Sequence, residues 1–144
     1  MTVPYQPANM NSVMPYLLLS DLGGFLQFAT EALGATIIEQ MGPPGSIMHA
    51  EIKIGDSVIM MGPSNEQWPS FPAMLYVYVP DCDAIHAKAM AAGSTEVHAP
   101  KDEFYGDRSG CLKDKWGNVW CFSTHIEDVT PAQMMERMAA GMPQ

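Results

Sequence analysis

The chain contains an internal repeat. The segment Met14–Asp21 reads MPYLLLSD, and sixty residues later the segment Met74–Asp81 reads MLYVYVPD. Further matches follow at nearly the same offset, pairing Leu33–Thr36 with Ala92–Thr95 and Gly55–Met60 with Gly117–Cys121. A unit of this length that occurs only twice is typical of a pseudo-symmetric domain, because solenoids stack shorter repeats in larger numbers. We therefore expect two similar halves that share one functional site.

Each half is predicted to contain a strand, a helix and three further strands. The first strand is predicted at Val13–Ser20, and its repeat at Met74–Val79 is richer in the β-branched and aromatic residues that strands favour. An aspartate that can cap a helix and a glycine that can end one bracket each predicted helix, which are Leu22–Leu33 and Cys82–Ala92. The remaining predicted strands are Ala35–Met41, Ile47–Ile54 and Ser57–Met61, then Thr95–His98, Ser109–Lys113 and Asn118–Thr124.

The length of 144 residues and the hydrophobic content of 47% predict one domain with a sizeable core. We expect module one at about residues 13–62, a linker at 63–72, module two at about 73–125 and a C-terminal helix at about 130–140. Three methionines of that helix form a stripe, which either covers the domain's own core or packs on a partner: Met134, Met135 and Met138. This helix is a candidate interface.

The charge and cysteine content exclude several classes of partner. A net charge of −9 with few, scattered basic residues excludes nucleic acid, and it serves either solubility or attraction of a cationic ligand. The chain has no apolar run long enough for a membrane span and no leader-like N-terminus, so we expect a cytoplasmic protein without membrane contact. An odd number of cysteines without CxxC spacing predicts free thiols.

Several short motifs fall along the chain. They are Pro15-Tyr16-Leu17 with Ser20-Asp21, Leu33-Gly34-Ala35, the run Ile47 to Met61, Tyr105-Gly106-Asp107-Arg108, and the run Asp114 to Trp120. Through these motifs the chain resembles the vicinal oxygen chelate superfamily, also called the glyoxalase/bleomycin resistance/dioxygenase family, and its PhnB-like branch. The resemblance implies an α+β fold of two tandem βαβββ modules that form a cup-shaped mixed sheet, and it implies a homodimer. It implies no single function, because the superfamily includes isomerases, thiol transferases, ring-cleaving oxygenases and drug-sequestering proteins.

The resemblance also locates the positions at which related enzymes bind a metal. Members that use a metal take one ligand from the first strand and one from the last strand of each module. Those positions hold Met14, Met60, Met74 and Cys121 here. Since divalent metals of such enzymes require nitrogen and oxygen ligands, we expect neither a metal nor another cofactor at the inherited positions.

The predicted strand register places polar side chains on one sheet face. A two-residue turn at Gly55-Asp56 puts Glu51 opposite Met60, with His49 on the same face. The predicted pairing of Lys113 with Asn118 puts Arg108 on the face of Cys121 and His125. The candidate ligand-binding residues are Tyr16, His49, Glu51, Met60, Trp68, Tyr76, Tyr105, Arg108, Cys121 and His125, with Trp68 as a lid or a structural anchor.

Two interpretations of this site remain. In the first, the protein binds a small molecule without metal and sequesters a cationic or aromatic compound. In the second, it is a lyase, isomerase or dioxygenase-type enzyme whose relocated site uses His49 and Glu51 as catalytic residues and Arg108 as an anion clamp. His49 and Glu51 lie close enough on one strand to share an ion in that second interpretation.

Overall fold

A computed structural model describes residues 2–141, which form two compact units divided between Phe71 and Pro72. The first unit contains β1 (Tyr16–Leu19), α1 (Leu22–Ala32), β2 (Thr36–Met41), β3 (His49–Ile54) and β4 (Ser57–Pro63). The second unit contains β5 (Met74–Tyr78), α2 (Cys82–Ala91), β6 (Thr95–Asp102), β7 (Asp107–Lys113), β8 (Val119–His125) and α3 (Pro131–Ala139).

Both units have the same sheet topology. The strand order is β1-β4-β3-β2 in the first and β5-β8-β7-β6 in the second. In each sheet the first strand pairs in parallel with the last, and the remaining pairs are antiparallel. The predicted α+β fold of two βαβββ modules is confirmed.

The structure confirms the residues that were predicted to cap and to end the first two helices. The Asp21 side chain accepts a hydrogen bond from the Gly24 backbone N–H, and Asp81 does the same for Ala84. Gly34 and Gly93 follow α1 and α2 with φ of 68° and 101°, a conformation that glycine adopts without a side-chain clash. These signals lie within a few residues of each helix, so they could be recognised without the tertiary structure.

The first sheet separates a buried face from an open one. Leu17, Ile52 and Met61 lie on the buried face. The helix α1 contacts β2 and β4 and contributes the buried side chains of Phe25 and Ala29 to the core. Burying each of the four larger side chains contributes about 1.5–3 kcal/mol to folding. The side chains that alternate with them point to the other face, and that face carries the polar residues.

The second sheet follows the same rule but has a different turn between its last two strands. Lys113 pairs with Val119, and the Asp114 backbone N–H donates to the Asn118 carbonyl at 2.9 Å. The buried Asp114 carboxylate accepts hydrogen bonds from the backbone of Trp116 and Asn118 and from the Asn118 and Trp120 side chains. This aspartate therefore organises the turn.

The prediction that Arg108 shares the face of Cys121 is wrong. The loop holds one residue more than the predicted turn, so Arg108 pairs with Thr124 and Cys111 pairs with Cys121. A shift of one residue moves a side chain to the opposite face. Arg108 instead forms ion pairs with Asp83 of α2 at 3.0 Å and with Asp102 of β6 at 3.1 Å.

The prediction of free thiols is wrong for two of the three cysteines. Cys111 and Cys121 are direct cross-strand partners and form a disulfide. Cys82 is free and buried. Sequence spacing did not indicate the bond because it depends on the register of β7 and β8.

The C-terminal helix α3 begins with a capping box formed by Thr130 and Gln133. Arg137 anchors it by donating to the Phe104 carbonyl and to Glu127. Of its three methionines, Met135 and Met138 are exposed and do not cover the core of this unit, whereas Met134 is half-buried. Within residues 2–141, no helix is long and apolar enough to cross a membrane.

Candidate functional site

The first unit contains a cleft of about 520 Å³ at the edge of its open sheet face. All of its lining side chains are uncharged, and they are Tyr16, Leu18, Met48, Gly62, Pro63, Asn65, Trp68 and Phe71. Four of them are large hydrophobic residues that are about half exposed: Tyr16, Met48, Trp68 and Phe71. Folding normally buries large apolar side chains away from water. A cluster of them that stays exposed in a concavity is therefore typical of a ligand-binding site.

A turn in the segment after β4 positions Trp68. Its backbone N–H donates to the Asn65 side chain at 2.8 Å, and its carbonyl accepts from the Asn65 N–H at 2.8 Å. The backbone of Trp68 is thus held while 58% of the residue stays exposed. The exposure argues against a purely structural anchor.

A hydrogen-bonded chain leads from the cleft wall into the sheet. The Tyr16 hydroxyl lies 3.2 Å from His49 Nδ1, and His49 Nε2 lies 2.9 Å from Glu51 Oε2. A neutral imidazole satisfies all three groups when Tyr16 donates to Nδ1 and Nε2–H donates to the carboxylate. Glu51 is 5% exposed, and the imidazole of His49 is the hydrogen-bond partner of its buried carboxylate.

Gly62 permits the position of the Tyr16 hydroxyl. A side-chain carbon at Gly62 would lie 2.8 Å from that oxygen, closer than such atoms approach. The glycine therefore leaves room for the tyrosine to reach His49, and it also lines the cleft. No sequence motif marked this contact, since Gly62 lies within β4, a strand of ordinary composition.

The corresponding face of the second unit is occupied by a network around Asp107. This buried carboxylate accepts hydrogen bonds from the hydroxyls of Tyr76 at 2.7 Å and Tyr78 at 2.9 Å. His125 Nδ1 donates to it at 2.9 Å, and His125 Nε2 donates to Asp128 at 2.7 Å. These groups therefore form their hydrogen bonds with one another within the unit.

The same network changes the pKa of its members. Burial alone would raise the pKa of Asp107, but the hydrogen bonds from His125, Tyr76 and Tyr78 outweigh it and lower the pKa. The carboxylates of Asp128 and Asp107 raise the pKa of His125 by accepting its two N–H groups. Burial raises the pKa of the Tyr76 hydroxyl, so the tyrosine remains a hydrogen-bond donor.

The structure thus brings together only some of the predicted site residues. Tyr16 and Glu51 each contact His49, and Met60 lies between Tyr16 and Glu51 in the strand register. Tyr76, Tyr105, Cys121 and His125 lie in the second unit, where the Tyr76 and Tyr105 hydroxyls are 3.3 Å apart.

Sequence reasoning missed several lining residues and one polar neighbour of Glu51. Met48 lies at the start of the predicted strand Ile47–Ile54, and Phe71 lies in the predicted linker at 63–72. Only their apolar character beside proline-containing segments could have drawn attention to them. Glu39 lies opposite Glu51 because of a β-bulge, which the sequence does not signal.

The positions at which related enzymes hold a metal do not fit one here. Met14 lies before β1, where its sulfur accepts from the Asn11 N–H, and Met74 is 69% exposed. Met60 offers a thioether, and the sulfur of Cys121 is bonded to Cys111. Divalent metals of the zinc or magnesium type bind nitrogen, oxygen or thiolate ligands, so this set supplies no site for them.

Comparisons with known proteins agree with the topology. Uncharacterized proteins of Mycobacterium bovis and Mycobacterium tuberculosis are 25% identical to the chain over 155 aligned positions. The alignment covers 97% of this chain, with 97% of the M. bovis protein and 87% of the M. tuberculosis protein.

Two solved structures share the fold at low identity. TioX from Micromonospora sp. ML1 is 23% identical with a TM-score of 0.70, and the match covers 81% of this chain and 100% of TioX. TnmS3, an antibiotic binding protein from Streptomyces sp. CB03234, is 18% identical with a TM-score of 0.64, covering 87% and 98% of the two chains. Residues 10–122 match the model of the Glyoxalase/Bleomycin resistance protein/Dioxygenase superfamily, and the chain belongs to that superfamily.

Proposed function

We propose that the protein binds a small aromatic cation in the cleft of its first unit and thereby sequesters it. The observation that carries the proposal is the group of half-exposed aromatic and apolar side chains around a volume that fits a small molecule. Tyr16, Trp68 and Phe71 offer ring faces to a flat ligand, and Met48 offers a polarisable side chain that adapts to irregular shapes.

The charge of the first unit favours a cationic ligand. Residues 1–71 contain six carboxylate side chains and only one lysine or arginine, Lys53. Two of those carboxylates, Glu39 and Glu51, adjoin His49, which contacts the cleft residue Tyr16. A cation stacked on Trp68 would gain both ring attraction and this long-range field.

Relatives support the class of function without defining the ligand. The structural neighbour TnmS3 is described as an antibiotic binding protein, and sequestration of a toxic compound needs binding but no turnover. We further propose that the chain belongs to the PhnB-like branch, acts in the cytoplasm, and forms a homodimer in which the exposed Met135 and Met138 of α3 contribute to the interface.

Binding of proflavine, a cationic acridine, tests the proposal. Fluorescence titration of the wild type should give saturable binding, and Trp68→Ala should weaken it about tenfold, which corresponds to about 1.4 kcal/mol of lost stacking. Tyr5→Ala is the matched control, because Tyr5 is an exposed aromatic residue of the same unit outside the cleft. Equal affinities for wild type and Trp68→Ala would refute the assignment of the cleft.

A second candidate function is acid–base catalysis, which the chain of Tyr16, His49 and Glu51 favours. Glu51 would hold the imidazole in one tautomer, and Tyr16 would pass a proton between His49 and a ligand in the cleft. Turnover of glutathione hemithioacetals by the wild type, lost in His49→Ala, is the result expected of an acid–base enzyme. The absence of turnover would leave the binding function alone.

A further inference from the structure

We propose that Glu39, His49 and Glu51 form a binding site for a divalent first-row transition metal. The three residues come from the neighbouring strands β2 and β3, and each offers one ligand atom such that all three atoms lie within 4.8 Å of one another. Ligands bound to one such ion lie about 3–4 Å apart. His49 Nε2 and Glu51 Oε2 are 2.9 Å apart, and the exposed Glu39 side chain can rotate to close the remaining gap.

A β-bulge creates this arrangement. The register of β2 against β3 pairs Ile37 with Ile52 and then Glu39 with Glu51, so that Ile38 is the extra residue. Without the bulge, Ile38 would stand opposite Glu51 and Glu39 would point to the other face of the sheet. Bulges recur next to functional sites because they re-aim a side chain. This one places a carboxylate where an apolar side chain would otherwise lie.

The resulting pair of carboxylates indicates a cation. Glu39 and Glu51 stand directly opposite each other on neighbouring strands, an arrangement that destabilises a sheet when both carry charge. Glu51 is moreover buried, and a buried carboxylate is costly without a positive partner. A divalent ion between the two side chains would offset both penalties, whereas His49 alone contacts only Glu51 through Nε2.

Tyr16 completes the surroundings that a metal-bound histidine requires. Histidine ligands usually donate their second ring N–H to an oxygen, which fixes the orientation of the ring. With His49 Nε2 on the metal, Nδ1–H donates to the Tyr16 hydroxyl oxygen, which lies 3.2 Å away. The existing hydrogen bond thus changes direction but not geometry.

The ligand types select the class of metal. Calcium and magnesium prefer sites made only of oxygen, and copper(I) prefers sulfur, whereas one imidazole with two carboxylates suits zinc and its divalent neighbours. Three protein ligands leave at least one position open for water or another molecule. The site is distinct from the inherited positions at Met14, Met60, Met74 and Cys121, and its occupancy does not depend on an organic ligand in the cleft.

Isothermal titration with zinc chloride, followed by elemental analysis of the desalted protein, tests the site. The wild type should bind about one zinc ion per chain. Glu39→Gln should weaken the affinity at least about tenfold, and His49→Ala should weaken it further. Glu39 is exposed, so its substitution leaves the core intact and the variant remains folded. Tyr16→Phe should weaken zinc binding about tenfold by removing the acceptor for His49.

Two control variants separate this site from other metal-binding side chains. Glu31→Gln removes an exposed carboxylate of the same unit, and His98→Ala removes the residue of β6 that corresponds to Glu39 in the second sheet. Both should bind zinc as the wild type does. Zinc affinity that is unchanged in Glu39→Gln, or that is lost in His98→Ala, would overturn the proposal. The zinc titration contains no proflavine, so its outcome does not affect the test of the cleft with that dye.

Discussion

The two units place different chemistry on the same structural row. In each sheet one residue from every strand lies side by side on the face opposite the helix. These rows are Tyr16, Met60, Glu51 and Glu39 in the first unit, and Tyr76, Cys121, Cys111 and His98 in the second. Even the bulges correspond, because Ile38 and Val97 are each the extra residue before the last member of the row.

The two rows differ in the bonds that their side chains form. In the second unit the central pair is a disulfide, and neighbouring tyrosines donate to Asp107. In the first unit the central pair is Glu51 and Met60, beside a carboxylate and a histidine that adjoin an open cleft. One copy of the module thus has a face whose polar groups bond to one another, and the other copy carries the groups that we propose bind a ligand.

The largest expected effect comes from the turns that join the last two strands of each unit. Asp114→Ala should lower the free energy of unfolding by about 3 kcal/mol or more, since several buried donors would lose their acceptor. Asp56→Ala, in the exposed turn of the first unit, is the matched control and should change it by less than about 0.5 kcal/mol. Urea denaturation measures both changes. Similar losses in the two variants would show that Asp114 does not stabilise its turn more than Asp56 does.

The disulfide should have the next largest effect. Reduction, or the Cys111→Ser variant, should lower the free energy of unfolding by about 2–3 kcal/mol, because the bond closes a short loop in the unfolded chain. Urea denaturation with and without dithiothreitol measures the loss, and mass spectrometry after thiol alkylation counts the free thiols. Three alkylated cysteines in the unreduced folded protein would contradict the bond.

The network around Asp107 should make stability depend on pH. The raised pKa of His125 gives stabilisation that is full below its unfolded value of about 6.5 and disappears as the pH rises through the folded value. The lowered pKa of Asp107 gives stabilisation that is present above its unfolded value of about 4 and disappears as the pH falls through the folded value. Stability from this network is therefore greatest between these limits.

Thermal unfolding at about pH 5.5 and about pH 8.5 checks the alkaline limb of that dependence. From the lower to the higher pH, the wild type should lose more stability than His125→Gln, because glutamine does not titrate and so has no proton to lose. His125 is half exposed, so the difference is expected to be small. A variant that follows the wild type at both pH values would show that His125 does not couple to folding.

The smallest expected effect concerns the two facing carboxylates of the first unit. In metal-free buffer, Glu39→Gln should raise the free energy of unfolding by about 0.2–1 kcal/mol, because it removes like-charge repulsion from Glu51. Glu31→Gln, on α1, should change it little. Chemical denaturation after chelator treatment measures the difference, and destabilisation by Glu39→Gln would argue that the pair is not repulsive.

The sequence predicted the fold well because its signals are local and repeated. Asp21 with Gly34, and Asp81 with Gly93, bracket the helices in both halves, and the turn at Gly55-Asp56 set the register of β3 and β4 correctly. The pairing of Glu51 with Met60 followed from that turn. Side chains alternate between the two faces of a strand, so the face of each residue can be predicted once the length of the turn is known.

The site was predicted only where the register was predicted. The loop from Asp114 to Asn118 holds one residue more than its composition indicated, and this reversed the face of Arg108 and hid the disulfide. The bulge at Ile38 likewise concealed Glu39. Bulges and hydrogen-bonded loops depend on tertiary contacts such as those of Trp120 with Asp114, which single-residue propensities do not record.

The direct test of the contrast between the two units is an amide NMR titration of the isotope-labelled protein with proflavine. We predict that the largest chemical-shift changes fall on cleft residues of the first unit: Leu18, Met48, Gly62 and Trp68. The amides of Tyr78, Ser109 and Ser123, on the closed face of the second unit, should change little. Shifts concentrated on the second group, with the cleft amides unaffected, would contradict the account.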